Sequence, residues 1–501
     1  MSILSVECAA FVLAVALVLG WASRQVRPWV FGVASLAFYA LSDWSHLWVL
    51  VVLMVLVYGV AQTLETVTGR SRPALLAVGV IAVLGTLGAY KYLNFAVGSF
   101  LAVFGSSVSP DAWSSGPVVP LGLSFYSLRL VAYLIDVHRG TIPAERHIGR
   151  FCAFVALFLE ISSGPIERAG SLLPQLDDTA SFDYTRVTSG LIRIAWGMFK
   201  KVAVADNLAL AVTKVYGHPA EYSGPALLLG TVAFALQLYL DFSGYTDMAI
   251  GAGQVVGLKL TENFVRPYFA GSVSEFWNRW HISLSNWLRD YIFLPIAYAL
   301  DRRLAATPLP LRLANLICFG VASMATMLAA GLWHGAGWTF VIWGGLNGAF
   351  MTVGKITSPW RTKMWRAVGL ATTTTVRRVA ATTTTFASLC VAWVFFRSQS
   401  VADAGTVLRR IATWCQASAG QGWLPGGIAS LGMESRRALG TTTFVAAVLV
   451  IDLWCEMSKT DPVSLVRRQR AAVRWGCYYA VVSVILWFWD TGESQFLYFQ
   501  F

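Results

Sequence analysis

HLWVLVVLMVLVYGVAQT, residues 46–63, runs eighteen positions without one Asp, Glu, Lys or Arg. A helix of that length rises about 27 Å, close to the hydrocarbon core of about 30 Å that takes about 20 helical residues to cross. The pattern continues outward from it. The apolar run 28–41 precedes it through Ser42-Asp43-Trp44, a link with no positive charge. Before that lies a run from Val6 to Trp21, with Glu7 and no basic residue at its start and Arg24 and Arg27 after it. A signal peptide has its charges the other way round, so this is read as a retained first span with the N-terminus outside. The link 64–73 carries Arg70 and Arg72 against Glu65. Basic residues thus mark every second link, as cytoplasmic loops require.

Composition agrees with a membrane setting. Hydrophobic residues make up 56% and charged residues 13% of the chain, with mean hydropathy +0.60, whereas soluble domains carry about 25% charged residues. A cytosolic enzyme, a secreted disulfide scaffold and a disordered chain are excluded. The net charge of +12 belongs with cytoplasmic loops and does not point to nucleic acid. Of the seven cysteines, Cys8, Cys152, Cys318, Cys390, Cys455 and Cys477 lie in or beside apolar runs, and Cys415 sits in a polar-flanked loop. They read as small apolar fillers; no Cys/His cluster suggests a metal site.

Further apolar runs at 74–92, 94–104, 118–135, 151–163, 189–205, 224–240, 313–330, 338–353, 380–396, 440–455 and 473–489 predict an all-α polytopic membrane protein with about a dozen spans. Runs 94–104 and 151–163 are too short to cross and predict partial or re-entrant helices. In the link 457–474, Lys459, Arg467, Arg468, Arg470 and Arg474 against Asp461 leave a net charge of +4. That link is predicted cytoplasmic, so the C-terminal tail with Asp490 and Glu493 is predicted outside. Ala371–Ala380 and Ala381–Cys390 each contain four threonines in a row, a local duplication read as a linker entering a helix. Residues 1–501 read as one membrane domain: a motif-bearing region over about 118–397, C-terminal spans over 440–489, and an aromatic tail over 490–501.

Two of the six histidines, His281 and His334, directly follow a tryptophan. Over 276–291, Trp277, His281, Leu284 and Leu288 fall on one stripe at about 100° per residue, and Arg279, Ser283, Asn286 and Asp290 on the other. The spacing predicts an amphipathic helix, which by itself fits an interfacial helix as well as a site. His334 lies in Gly331-Leu332-Trp333-His334-Gly335-Ala336-Gly337-Trp338. That sequence predicts either a tryptophan-anchored turn or a break between helices lining a cavity. Asp241 and Asp247 follow the apolar run 224–240; intramembrane acids are functional candidates, but helix capping is the structural reading.

These segments stand in a familiar order. Tyr90-Lys91-Tyr92-Leu93-Asn94-Phe95 comes first. Pro120 through Gly140 follows, then Ser163-Gly164-Pro165-Ile166, Phe199-Lys200-Lys201-Val202 with Ala205-Asp206-Asn207, and Asp241 to Gly251. Asn263-Phe264-Val265-Arg266-Pro267-Tyr268, Trp280-His281, Trp333-His334-Gly335 and Trp393-Val394-Phe395-Phe396-Arg397 complete the series. In this the chain resembles the membrane-bound O-acyltransferases (MBOAT), in the bacterial branch with the alginate O-acetylation and teichoic-acid D-alanylation membrane subunits. It departs from the pattern at Arg129, usually uncharged, at Glu160, commonly proline, and at Ile296-Ala297-Tyr298-Ala299, where a glycine pair is usual.

The resemblance implies helices around a central tunnel in the bacterial inner membrane, where a cytoplasmic thioester meets an acceptor from outside. It assigns the base to His334 and a second active-site role to His281. Acetyl-CoA is the implied donor, with Arg266, Arg279 and Lys200 as candidates for its phosphates. An extracytoplasmic polysaccharide is the eventual acceptor, served directly or through a periplasmic SGNH-type partner. The ending Gln495-Phe496-Leu497-Tyr498-Phe499-Gln500-Phe501 resembles the terminal motif of the alginate-type subunits, which makes Tyr498 a candidate acyl relay; an interfacial aromatic anchor is the alternative. Two other functions fit the same residues at this stage. One is a flippase or transporter for a lipid-linked saccharide; the other is a D-alanyl transferase drawing on a carrier-protein thioester.

Overall fold

A computed structural model describes residues 4–104, 118–177, 182–367, 369, 375–417 and 435–489. Helices carry these residues, and no strand occurs among them. Two units can be described, each by itself. The first comprises residues 1–195 and 245–262, the second 196–244 and 263–501.

In the first unit, α1 (Val6–Trp21), α2 (Arg27–Ser42) and α3 (Leu47–Thr66) follow the first three apolar runs. The runs 74–92 and 94–104 do not part into a span and a re-entrant piece. They join as α4 (Ser71–Leu87), a π-helical turn (Gly88–Tyr92) and α5 (Leu93–Val103), with no proline between them to break the helix. Then come α6 (Leu123–Arg139), α7 (Ile148–Ala156), the single turn α8 (Ala169–Leu172) and most of α9 (Tyr184–Met198). The run 151–163 ends as a helix at Ala156, in keeping with its shortness. Gly122 opens α6 in the left-handed region at φ 68°, and a Cβ there would lie 2.0 Å from the Ile161 carbonyl oxygen. Only glycine fits.

α6 also explains two departures from the family pattern. Arg129 and Glu160, both fully buried, form an ion pair at 2.7 Å. Arg129 further donates to the carbonyls of Phe154 (3.3 Å), Val155 (3.4 Å) and Pro165 (3.2 Å). The arginine and the glutamate are each other's compensation, since a buried charge persists only when paired and hydrogen-bonded.

The second unit begins with a π-helical segment, Phe199–Ala205, followed by α10 (Asp206–Gly217) and the first part of α11 (Gly224–Val256). It continues through the short α12 (Val273–Trp277), α13 (Ile282–Leu288) and α14 (Leu294–Leu304). The long helices α15 (Leu311–His334), α16 (Trp338–Ala367), α17 (Thr375–Arg397) and α18 (Val401–Ala417) come next. α19 (Ser435–Ser458), α20 (Pro462–Arg467) and α21 (Ala471–Phe488) close the described chain.

Seven helical stretches are long and apolar enough to cross a membrane. They are Trp44–Thr66, Ser71–Ala102, Gly224–Val256, Leu311–His334, Thr375–Arg397, Arg437–Ser458 and Ala471–Phe488, with Val6–Trp21 as a shorter apolar helix. The protein is therefore a multi-pass membrane protein, with fewer full-length apolar helices among the described residues than the dozen spans expected. Several remaining apolar runs form helices that are too short, such as α7.

The two acids expected to cap a helix do not cap one. Asp241 and Asp247 lie inside α11, which runs unbroken through Ser243. Each is instead neutralised by a cation. Lys201 Nζ lies 2.7 Å from Asp241 Oδ1 and 2.7 Å from Asp206 Oδ1, while Arg193 donates to Asp247 at 2.9 Å and pairs with Glu262 at 2.5 Å. Pairing removes the charge cost that would otherwise push such groups to a helix end.

Candidate active site

α15 and α16 form a hairpin whose backbones nearly touch. A Cβ on Gly331 would lie 2.3 Å from the Phe340 carbonyl oxygen, and one on Gly344 would lie 2.2 Å from that of Met327. Gly344 and Gly348 give α16 the small-residue face that lets membrane helices approach closely. This clamp sets His334, the last residue of α15, at the break between the two helices. Of the two sequence readings, the helix break is the one observed. His334 is 5% exposed, and its ring stands edge-on to Trp333 (5.0 Å), Trp343 (5.0 Å) and Phe396 (5.3 Å) between centroids.

His281 is placed differently from the sequence expectation. The predicted helix over 276–291 breaks there: α12 ends at Trp277, α13 starts at Ile282, and His281 precedes it at φ 43°, ψ 53°. A left-handed non-glycine residue carries strain and persists only where its surroundings enforce it. The enforcement is a short backbone pairing. Val265 N–H donates to the Arg279 carbonyl at 2.9 Å, and Ile282 N–H donates to that of Asn263 at 2.9 Å. Helical periodicity registers neither bond, because both partners lie outside the window.

The same pairing orients the imidazole. Asn263 Oδ1 accepts from the Ser283 N–H (3.1 Å) and from the Ser283 hydroxyl (2.9 Å), and His281 Nδ1 lies 3.2 Å from it. An atom that accepts from a backbone N–H is the amide oxygen, so His281 Nδ1 carries the proton and Nε2 keeps its lone pair. Complete burial pushes this imidazole down to about 3, which keeps it neutral at physiological pH. Its ring meets Phe242 edge-on at 4.8 Å and Trp333 at 6.0 Å.

The two histidines therefore share one indole, with Trp333 between His281 and His334. Beside His334, the Trp343 ring nitrogen is buried without an acceptor among the described residues, a donor that can serve a bound carbonyl. The three basic candidates are not all here. Lys200 is buried and donates to the Ser243 hydroxyl at 2.8 Å. Arg266 and Arg279 both bind Glu456, at 3.0 Å and 3.2 Å. Tyr498 lies outside the described residues. Sequence reasoning missed Asn263 and Glu456: Asn263 had a motif around it but no distinct role, and Glu456 falls between the apolar run 440–455 and the basic link 457–474.

Residues 147–309 match the family model "MBOAT, membrane-bound O-acyltransferase family", a segment that holds His281 but not His334. The chain is 36% identical over 385 residues to "Probable alginate O-acetylase AlgI" of Pseudomonas syringae pv. tomato, covering 76% of this chain and 69% of that protein. It is 31% identical over 403 residues to "Peptidoglycan O-acetyltransferase" of Helicobacter pylori, covering 75% and 72%. Over 289 residues it is 25% identical to "Teichoic acid D-alanyltransferase" of Bacillus subtilis, covering 55% and 70%.

Proposed function

Because the chain belongs to the membrane-bound O-acyltransferase family, we propose that this membrane acyltransferase takes an acetyl group from acetyl-CoA for O-acetylation of an extracytoplasmic polysaccharide. The observation that carries the reading is the buried His281–Trp333–His334 arrangement. In the transfer, an acceptor hydroxyl attacks the thioester carbonyl and gives its proton to His334. The tetrahedral intermediate then collapses, the C–S bond breaks, and the thiolate leaves and takes up a proton. His281, neutral and fixed by Asn263, orients the reacting groups.

The relatives named for O-acetylation support acetyl as the group moved. The relative named for D-alanyl transfer supports the second reading, a carrier-protein thioester donor. Release of coenzyme A from acetyl-CoA by purified protein in detergent tests the first. If acetyl-CoA is left intact while a D-alanyl carrier thioester is consumed, the second reading replaces it.

Tyr498 is the acyl relay in this scheme. Its phenol attacks the thioester, coenzyme A leaves, and the phenyl ester passes the acetyl group to a hydroxyl of the polymer or of an SGNH-type periplasmic partner, regenerating the phenol. Tyr498→Phe keeps the aromatic anchor and deletes the nucleophile. It is expected to abolish polysaccharide acetylation in cells while leaving the protein in the membrane. Acetylation at the normal level would reduce the tail to an anchor.

The charge pattern supports residence in the bacterial cytoplasmic membrane with both termini periplasmic. Cysteines placed at Ser2 and Ser494 are expected to react with an impermeant thiol reagent in intact spheroplasts. Protection of Ser494→Cys would move the tail to the cytoplasm and remove the relay with it.

A further inference from the structure

Among the described residues, four cations converge on one carboxylate at the end of α19. Glu456 Oε1 accepts from Arg378 (2.7 Å), Lys459 (3.2 Å) and Arg279 (3.3 Å), and Oε2 accepts from Arg266 (3.0 Å) and Arg279 (3.2 Å). Arg279 also pairs with Glu275 at 2.7 Å. Four cations against two carboxylates leave two positive charges in surplus, and packing alone gives no reason to gather like charges.

The crown is graded toward solvent. The side chain of Glu456 is 6% exposed and those of Arg266 and Arg279 are 15% and 18% exposed, whereas Arg378 and Lys459 are 59% and 69% exposed. An arriving anion meets two open cations with two guanidinium groups beneath them. Backbone strain gathers in the same place. Among the described residues, three other than glycine have positive φ: Arg266 at 45°, Lys459 at 54° and His281 at 43°. Two hold Glu456 and the third is in the active site, and strain of this kind collects at functional sites. The Asn263–Val265 and Arg279–Ile282 pairing that shapes His281 also fixes where Arg266 and Arg279 leave the backbone.

We propose that the crown of Arg266, Arg279, Arg378 and Lys459 is the subsite for a phosphate of the thioester donor, with Glu456 as the fixed counter-ion that positions the four cations. The proposal rests on the acyl-transfer reading above. A phosphate monoester carries about −1.5 to −2 charges at neutral pH, which matches the surplus, and guanidinium forks suit its oxygens. Coenzyme A offers such a monoester as its 3′-phosphate, whereas the prosthetic arm of a carrier protein offers a phosphodiester of lower charge.

The test is calorimetric binding of coenzyme A, dephospho-coenzyme A, 4′-phosphopantetheine and pantetheine to the full-length protein in detergent, at low and high salt. Arg378→Ala and Lys459→Ala alter exposed side chains and leave the buried pairs in place. Each is expected to weaken coenzyme A binding about tenfold, the equivalent of one charge-assisted hydrogen bond, with a reduced salt dependence, and to leave pantetheine binding unchanged. Arg468→Ala and Arg470→Ala, on the same basic link but outside the crown, are expected to change nothing. A ten-fold preference for coenzyme A over dephospho-coenzyme A that disappears in the variants assigns the crown to the 3′-phosphate. A preference for 4′-phosphopantetheine over pantetheine that disappears in them assigns it to the arm. Unchanged affinities in both crown variants, equal losses in the control variants, or no phosphate-dependent binding by the unaltered protein would overturn the proposal. If acetyl-CoA is turned over while the crown variants bind normally, the crown falls and the acetyl-transfer reading stands. If coenzyme A binds through the crown but acetyl-CoA is never turned over, the reverse holds.

Discussion

His334→Ala is expected to lower acyl transfer by roughly three orders of magnitude, the scale of a removed general base, without unfolding the protein. The loss follows from its place at the end of α15, where the clamp of Gly331 and Gly344 holds the ring against Trp333, Trp343 and Phe396. The fold is expected to survive because that clamp is made of backbone and glycine, not of the imidazole. His334→Gln, closer in size and unable to act as the base, should match the alanine variant in rate while filling more of the space. Initial rates of coenzyme A release, with the thermal unfolding midpoint in the same detergent, make the measurement. Partial rescue of His334→Ala by added imidazole would separate a proton-transfer role from a packing one. His281→Ala is expected to impair transfer less completely. A normal rate in both His334 variants would remove the proposed base.

The second large effect concerns stability. Glu160→Leu strands the Arg129 guanidinium in a fully buried site, and arginine cannot shed its charge. Breaking a buried pair from one side costs about 3–5 kcal/mol, enough to threaten a typical folded state. Arg129→Met strands the carboxylate instead, and Glu160 can respond by taking a proton. Burial already pushes that carboxyl upward, and Arg129 opposes the push. Without Arg129 the folded-state affinity for the proton exceeds the unfolded one, so stability is greatest in acid and is lost as pH rises through the raised value. Arg129→Met is therefore expected to regain stability as the buffer is acidified, and Glu160→Leu is not. The double variant should recover much of the loss, though the carbonyls of Phe154, Val155 and Pro165 lose their donor. Thermal midpoints of the three variants across pH decide it. Thermal midpoints in both single variants equal to that of the unaltered protein would mean that the pair carries no folding energy.

What the sequence determined by itself was local in origin. Apolar length and the absence of charge over 46–63 specify a membrane helix wherever that segment sits, because the transfer of its side chains from water does not depend on neighbours. Apolar length likewise marks α11, α15 and α19, although α11 and α19 carry acids, and the glycines around His334 left a helix break as one of two readings. The ordered motifs carried the family and both histidines. Only the tertiary structure decided what depends on partners far along the chain. His281 leaves its helix because residues 263–265 pair with 279–282, and its tautomer follows from Asn263, 18 residues away. Arg129 and Glu160 looked like two unrelated departures until their contact at 2.7 Å made them one feature. Asp241 and Asp247 turned from caps into ion-pair partners inside one long helix because Lys201 and Arg193 reach them. Glu456 gathers Arg279 from 177 residues away and Arg266 from 190. Periodicity registers how a residue suits its own helix; a buried charge is settled by whichever opposite charge the fold brings within about 4 Å, and that distance exists only after folding.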